Sequence, residues 1–150
     1  MNEPIYEHTT VLVGIDGSDE SIAALELGAS LAAATERDLV AVFVRHLPAF
    51  IETSPALGQA EGALDDLVAR LEVEVKATLA GRDRPAWTFE TREGDPASTL
   101  IDAADEHGAS LIVVGHRGHN QAVSLLVGSV ATRLVHHAPQ SVLVARTPAP

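Results

Sequence analysis

The chain has 150 residues, 46% of them apolar, and a formal net charge of -11. That length is enough for one domain with a buried core, and the acidic balance argues against general nucleic-acid binding, which needs a basic footprint. The absence of cysteine excludes disulfides, thiolate-bound zinc and thiol nucleophiles.

The opening "MNEPIYEHTT" lacks the basic region and apolar stretch of a signal peptide. No apolar run reaches membrane-spanning length, so a cytoplasmic protein is expected. "TVLVGI" (10–15) is short, apolar and β-branched, as a strand buried on both faces would be. "DGSDES" follows, with Ser18 and Asp19 as N-cap candidates. Residues 20–35 predict a helix, with Ile22, Leu25, Ala29 and Ala32 at helical spacing. "LVAVFV" (39–44) predicts a second buried strand. "RHLPAFIETSPALGQAEG" has two prolines and two glycines and reads as a loop. Leu64, Leu67, Val68, Leu71, Val75 and Leu79 then stripe one face of a helix.

"WTFET" (87–91) alternates like a half-exposed strand, with Trp87 and Phe89 available for core or interface packing. In "EGDPASTLIDAADEHG" Asp95 suits the N-cap, Pro96 the first helical position and Gly108 the C-terminal stop. "SLIVVG" (110–115) is a fourth strand. A helix is expected from near Ser129 to about His137, ahead of Pro139, and "SVLVAR" (141–146) is the fifth strand. Strands alternating with helices imply an α/β fold with a parallel sheet covered on both faces. Ligands in such sheets sit beyond the carboxyl ends of the strands, where the strand order reverses. Strands one and four end in "GIDGS" and "VVGHRG"; if they are neighbours, both loops face one crevice, but periodicity does not establish that adjacency.

Charge is unevenly distributed. All 21 acidic residues lie at or before Glu106, whereas residues 107–150 carry Arg117, Arg133, Arg146 and five of the seven histidines. Within that acid-free half, "GHRGHNQAVSLLVGSV" (115–130) holds three glycines. Glycine lets backbone N–H groups approach a phosphate closely. The following helix N-terminus offers further donors and a partial positive charge. The Ser129 hydroxyl has two uses, to a phosphate or to its own helix as a cap. The loop is neither a Walker A sequence nor G-x-G-x-x-G, and it lacks a lysine for a β- or γ-phosphate.

Gly115, Gly118 and Gly128-Ser129 fit the G-x2-G-x9-G-[ST] pattern, and this chain thereby resembles the universal stress protein family. The opening strand-Asp-Gly-Ser and the closing "SVLVAR" are similar too, so the resemblance covers roughly residues 8 to 147 of a single nucleotide-binding domain. It implies a doubly wound, Rossmann-like five-stranded parallel sheet of order 3-2-1-4-5. Members with the complete glycine pattern generally bind ATP. By position, the resemblance places Asp16 on the ribose, the Val44 backbone on the adenine, and Gly115, Gly118, Gly128, Ser129 and Val130 around the phosphates. It further implies a homodimer through the last strand, here Val142 to Val144, a use that would cover an exposed apolar edge.

Three residues have competing readings beside that pattern. Arg117 either reaches a phosphate bidentately or points to solvent. Gly14 either relieves crowding near the nucleotide or thins the strand for helix packing. Asp16 also suits a turn cap. His116-x-x-His119 and His136-His137 are too unspecific in spacing for a metal site to be expected; Mg²⁺ would arrive with ATP, bound mainly to phosphate oxygens. No general base is evident, so no catalytic residue is assigned. The expected function is that of an ATP-dependent stress-response or signalling module, with nucleotide ordering residues 116–127 and 46–62 for a protein partner to read. Slow ATP hydrolysis, a nucleotide-free dimeric interaction module and cAMP binding are the alternatives.

Overall fold

The computed structural model describes residues 10–117 and 127–147. Five strands form one parallel sheet: β1 (Thr10–Gly14), β2 (Asp38–Arg45), β3 (Trp87–Glu93), β4 (Ala109–Gly115) and β5 (Ser141–Ala145). Their spatial order is β3-β2-β1-β4-β5, as the resemblance implied. The helices are α1 (Asp19–Ala34), α2 (Ala49–Glu52), α3 (Leu57–Leu79), α4 (Pro96–Glu106) and α5 (Ser129–His137).

Strand alternation divides the core between the two faces of the sheet. Val11, Val13, Leu39, Ala41 and Val113 pack with Leu25, Ala29 and Leu71 of α1 and α3. Leu12, Val40, Val42, Ile112 and Val114 pack with Leu100 of α4 and Leu134 of α5. Successive side chains of a strand point to opposite faces, which is why strands one, two and four read as continuous apolar runs. Trp87 and Phe89 of edge strand β3 pack against the α1/α3 side.

Helix ends follow local chemistry. Ser18 caps α1, its side chain accepting a hydrogen bond from the Ser21 N–H at 3.1 Å. Asp95 caps α4 by accepting from the Ser98 N–H at 3.0 Å, with Pro96 in the first turn and Gly108 at φ +62° beyond the end. Asp95 also accepts from Arg133 of α5 at 2.6 Å, so α4 and α5 are pinned together where they meet the crevice. That guanidinium, joined by the Ser98 amide, holds the Asp95 carboxyl well below the usual carboxylate range.

The expected loop over 46–62 is not one. It contains α2 and the first turns of α3. Pro48 is the N-cap of α2 and Pro55 precedes the N-cap of α3, positions where a missing N–H costs little. Gly58 and Gly62 lie inside α3 on a side where an added Cβ would meet nothing within 4 Å. Each costs the helix about 1 kcal/mol relative to alanine, which the burial of Leu71, Val75 and Leu79 farther along outweighs.

Candidate functional site

β1 is hydrogen-bonded to β2 on one side and β4 on the other. The chain leaves β1 for α1 and β4 for α5, and the two connections open a crevice at the carboxyl ends of the strands, where α/β sheets hold ligands. The cleft measures about 160 Å³. Gly14, Asp16, Val44, Gly115, Arg117, Gly128, Ser129 and Val130 all line it, so the sheet gathers eight of the nine predicted site residues. The ninth, Gly118, lies outside the described residues, as does His119. Sequence reasoning missed Ser21, Phe43, Pro96, Leu100 and Ala131 on the walls. Ser21 had one legible signal, its place in the turn-rich "DGSDES".

α5 brings its N-terminus to the crevice wall. Its N-cap residue is Gly128, and among the described residues no side-chain hydrogen bond caps the helix. The alternative in which Ser129 caps its own helix is therefore overturned: Ser129 is already helical, one position too late to present its oxygen to the first-turn amides. The amides of a helix's first turn have no intrahelical acceptor, and Ser129, Val130 and Ala131 carry them at the crevice wall.

Asp16 holds its own turn. Its Oδ1 accepts from the Ser18 N–H at 2.9 Å and from the Ser18 hydroxyl at 2.6 Å. The Asp16 N–H donates to the Ser21 hydroxyl at 3.3 Å, and that hydroxyl donates to the Ser18 carbonyl at 2.9 Å. The turn-capping role expected of Asp16 is thus present, and the same turn sets the carboxylate at the crevice.

The glycines have packing reasons. A Cβ on Gly115 would stand 2.8 Å from the Glu20 carbonyl carbon, so the first turn of α1 rests directly on the end of β4. A Cβ on Gly14 would meet Leu100 of α4 at 3.0 Å and Val114 at 3.1 Å, in keeping with the helix-packing reading of that residue.

Of the two paths expected for Arg117, the solvent-pointing one is not taken. Arg117 lines the crevice and donates to Glu20 Oε1 at 3.1 Å. Glu20 comes from the first turn of α1, so a loop without carboxylates in sequence has one beside it in space.

His116 fastens the base of the loop. Its N–H donates to the Ala145 carbonyl at 2.7 Å and its carbonyl accepts from the Gly128 N–H at 2.7 Å. Its ring is buried, with 5% of the residue exposed, and Nε2 has no hydrogen-bond partner among the described residues. Burial first, then the charges of Arg146 and Arg117, lower its pKa from the ordinary 6.5, with Glu20 opposing. Below pH 6.5 the folded protein therefore binds fewer protons than the unfolded chain, and stability falls as pH falls. The melting temperature is expected to decline as pH falls below 6.5, and less steeply in His116→Gln. Asp95 and Glu106, whose arginine partners hold their carboxyl groups low, lose their contribution only as pH falls through their ordinary values of 3.8 and 4.5. An equal slope in both proteins over the upper window would refute the assignment to His116. Among the described residues no cluster of three His, Asp or Glu side chains stands ready for a metal.

The chain is similar in sequence and in fold to known proteins. The model of the "Universal stress protein family" matches residues 7–146. Universal stress protein MJ0531 of Methanocaldococcus jannaschii is 30% identical over 145 residues, covering 92% of this chain and 82% of the relative. The solved structure of universal stress protein UspA from Lactobacillus plantarum is 29% identical, with a TM-score of 0.77 over 94% of this chain and 99% of that one. A universal stress protein in complex with cAMP is 25% identical, with a TM-score of 0.66 over 94% of this chain and 98% of that one. With one family model running through every element described above, the chain belongs to the universal stress protein family.

Proposed function

We propose that this chain binds ATP in the crevice between β1 and β4 and acts as a nucleotide-dependent stress-response or signalling module. The N-terminus of α5 on the crevice wall, without a side-chain cap among the described residues, carries the reading. In that reading the amides of Ser129 and Val130, the Ser129 hydroxyl and the backbone at Gly128 and Gly115 receive the phosphates, with Gly118 in the same role. Asp16 takes the ribose and the Val44 backbone the adenine, against the apolar wall that Val42 and Leu100 supply. Several charge-assisted hydrogen bonds of about 1.5–3 kcal/mol each suffice for micromolar affinity, about -8.2 kcal/mol. Mg²⁺ would come with the triphosphate. Nothing in this reading needs a catalytic residue.

The module is proposed to work as a cytoplasmic homodimer joined through β5, the edge strand on which Val142 and Val144 stand half-buried. A second ligand, cAMP, is favoured by the relative solved with it.

The deciding experiment is to denature the purified protein, identify the released small molecule by mass spectrometry, and measure the thermal shift of the emptied protein with millimolar ATP. An adenine nucleotide and a raised melting temperature are expected, and competition by cAMP ranks the two ligands. A protein that is purified empty and does not respond to ATP or cAMP would refute the proposal in favour of a nucleotide-free interaction module.

A further inference from the structure

We propose that Glu20 is a specificity-determining residue, an internal counter-ion that sets how strongly the crevice favours a nucleoside triphosphate over a monophosphate. The inference rests on the nucleotide-binding reading above. It starts from the Arg117–Glu20 ion pair at 3.1 Å.

Arg117 is a cation on the crevice wall, and its guanidinium is the group there that could grip a terminal phosphate bidentately. In the folded protein it already faces a carboxylate. The side chains of Glu20 and Arg117 are 16% and 27% exposed, so the pair is substantially withdrawn from water and only weakly screened by salt. Glu20 is held in place. Its backbone lies where a Cβ on Gly115 would stand, 2.8 Å away, in the first turn of a helix whose neighbouring residue Ser21 is tied to Ser18.

A terminal phosphate that engages Arg117 must therefore share it with Glu20 or draw it away. Sharing sets two anions against one cation. Drawing it away leaves a largely buried carboxylate without its counter-ion, which is costly. A monophosphate or a cyclic phosphate seated on the first-turn amides of α5 needs no contact with Arg117 and avoids both costs. Asp16, the other charged residue on the described wall, is an anion as well, so the described charges do not compensate a polyphosphate. Glu20 thus weakens triphosphate binding selectively and narrows the gap between ATP and less charged adenine nucleotides.

The experiment is isothermal titration of the full chain with ATP, AMP and cAMP, comparing wild type, Glu20→Gln and Glu20→Ala. Glu26→Gln, which removes one charge from an exposed position of the same helix, is the control. The two Glu20 variants are expected to tighten ATP about tenfold and to change AMP and cAMP less than about twofold, with Glu26→Gln leaving the ATP-to-AMP ratio as in wild type. Melting curves of each variant confirm the folded state. An unchanged ratio in both Glu20 variants, or an equal shift in Glu26→Gln, overturns the role of Glu20 while leaving nucleotide binding intact. Failure of all three nucleotides to bind any of the proteins overturns the nucleotide reading itself, and this inference with it.

Discussion

Gly115→Ala is expected to destabilise the protein by about 3 kcal/mol, at the upper end of the cost of overpacking. The added methyl would stand 2.8 Å from both the carbonyl carbon and the Cβ of Glu20. No flexible side-chain tip is there to yield; α1 would have to move off β4. Movement of α1 would disturb Val13, Val113, Leu25 and Ala29 together, because they share one core cluster. For a chain of this size each kcal/mol shifts the melting temperature by about 2–4 °C, so thermal unfolding should show a drop of several degrees. Gly62→Ala provides the contrast. An added Cβ there meets nothing within 4 Å and the residue lies inside α3, so the change should stabilise by about 0.5–1 kcal/mol. If Gly115→Ala melts like wild type yet loses ATP, the glycine serves the ligand and the packing argument fails.

Asp16→Ala is expected to lower ATP affinity by about 10- to 100-fold, the loss of one hydrogen bond made by a charged group. Stability should fall by about 1 kcal/mol, since the turn loses the acceptor of the Ser18 N–H and hydroxyl. Asp16→Asn separates the two effects. It keeps an oxygen for Ser18, so the melting temperature should recover, while the acceptor strength offered to a ribose hydroxyl falls and affinity recovers only in part. Calorimetric titration together with thermal unfolding reads both quantities in the same protein. Wild-type ATP affinity in Asp16→Ala would remove this residue from the nucleotide site and leave it as a turn cap.

In the proposed reading, both substitutions bear on residues with two duties. Gly115 and Asp16 match a binding pattern, and both also have a structural reason that would hold without ligand. The packing of α1 on β4 forms one wall of the crevice, so the requirements of the fold and of the site coincide at these positions. For Arg117 they conflict: its pairing with Glu20 neutralises the charge that a phosphate would use.

The sequence by itself determined the elements and their ends. Apolar runs longer than one pleat specify buried parallel strands. Ser18, Asp95, Pro96 and Gly108 marked helix boundaries because capping and positive-φ preferences act within a few residues of chain. The same local reading failed over 46–62, where prolines and glycines signal a break only inside an element; here the prolines lie at helix starts and the glycines face open space.

What only the tertiary structure decided is which residues meet. β1 and β4 are neighbours although about a hundred residues separate them in the chain, and that adjacency creates the crevice. Glu20 reaches Arg117 across a separation of 97 residues. His116 is buried and fastens the base of the glycine loop, although histidine in a loop has no fixed environment in sequence. Propensity and capping depend on residues three or four positions apart, whereas the electrostatics of the crevice depend on which helix the sheet order lays beside which strand.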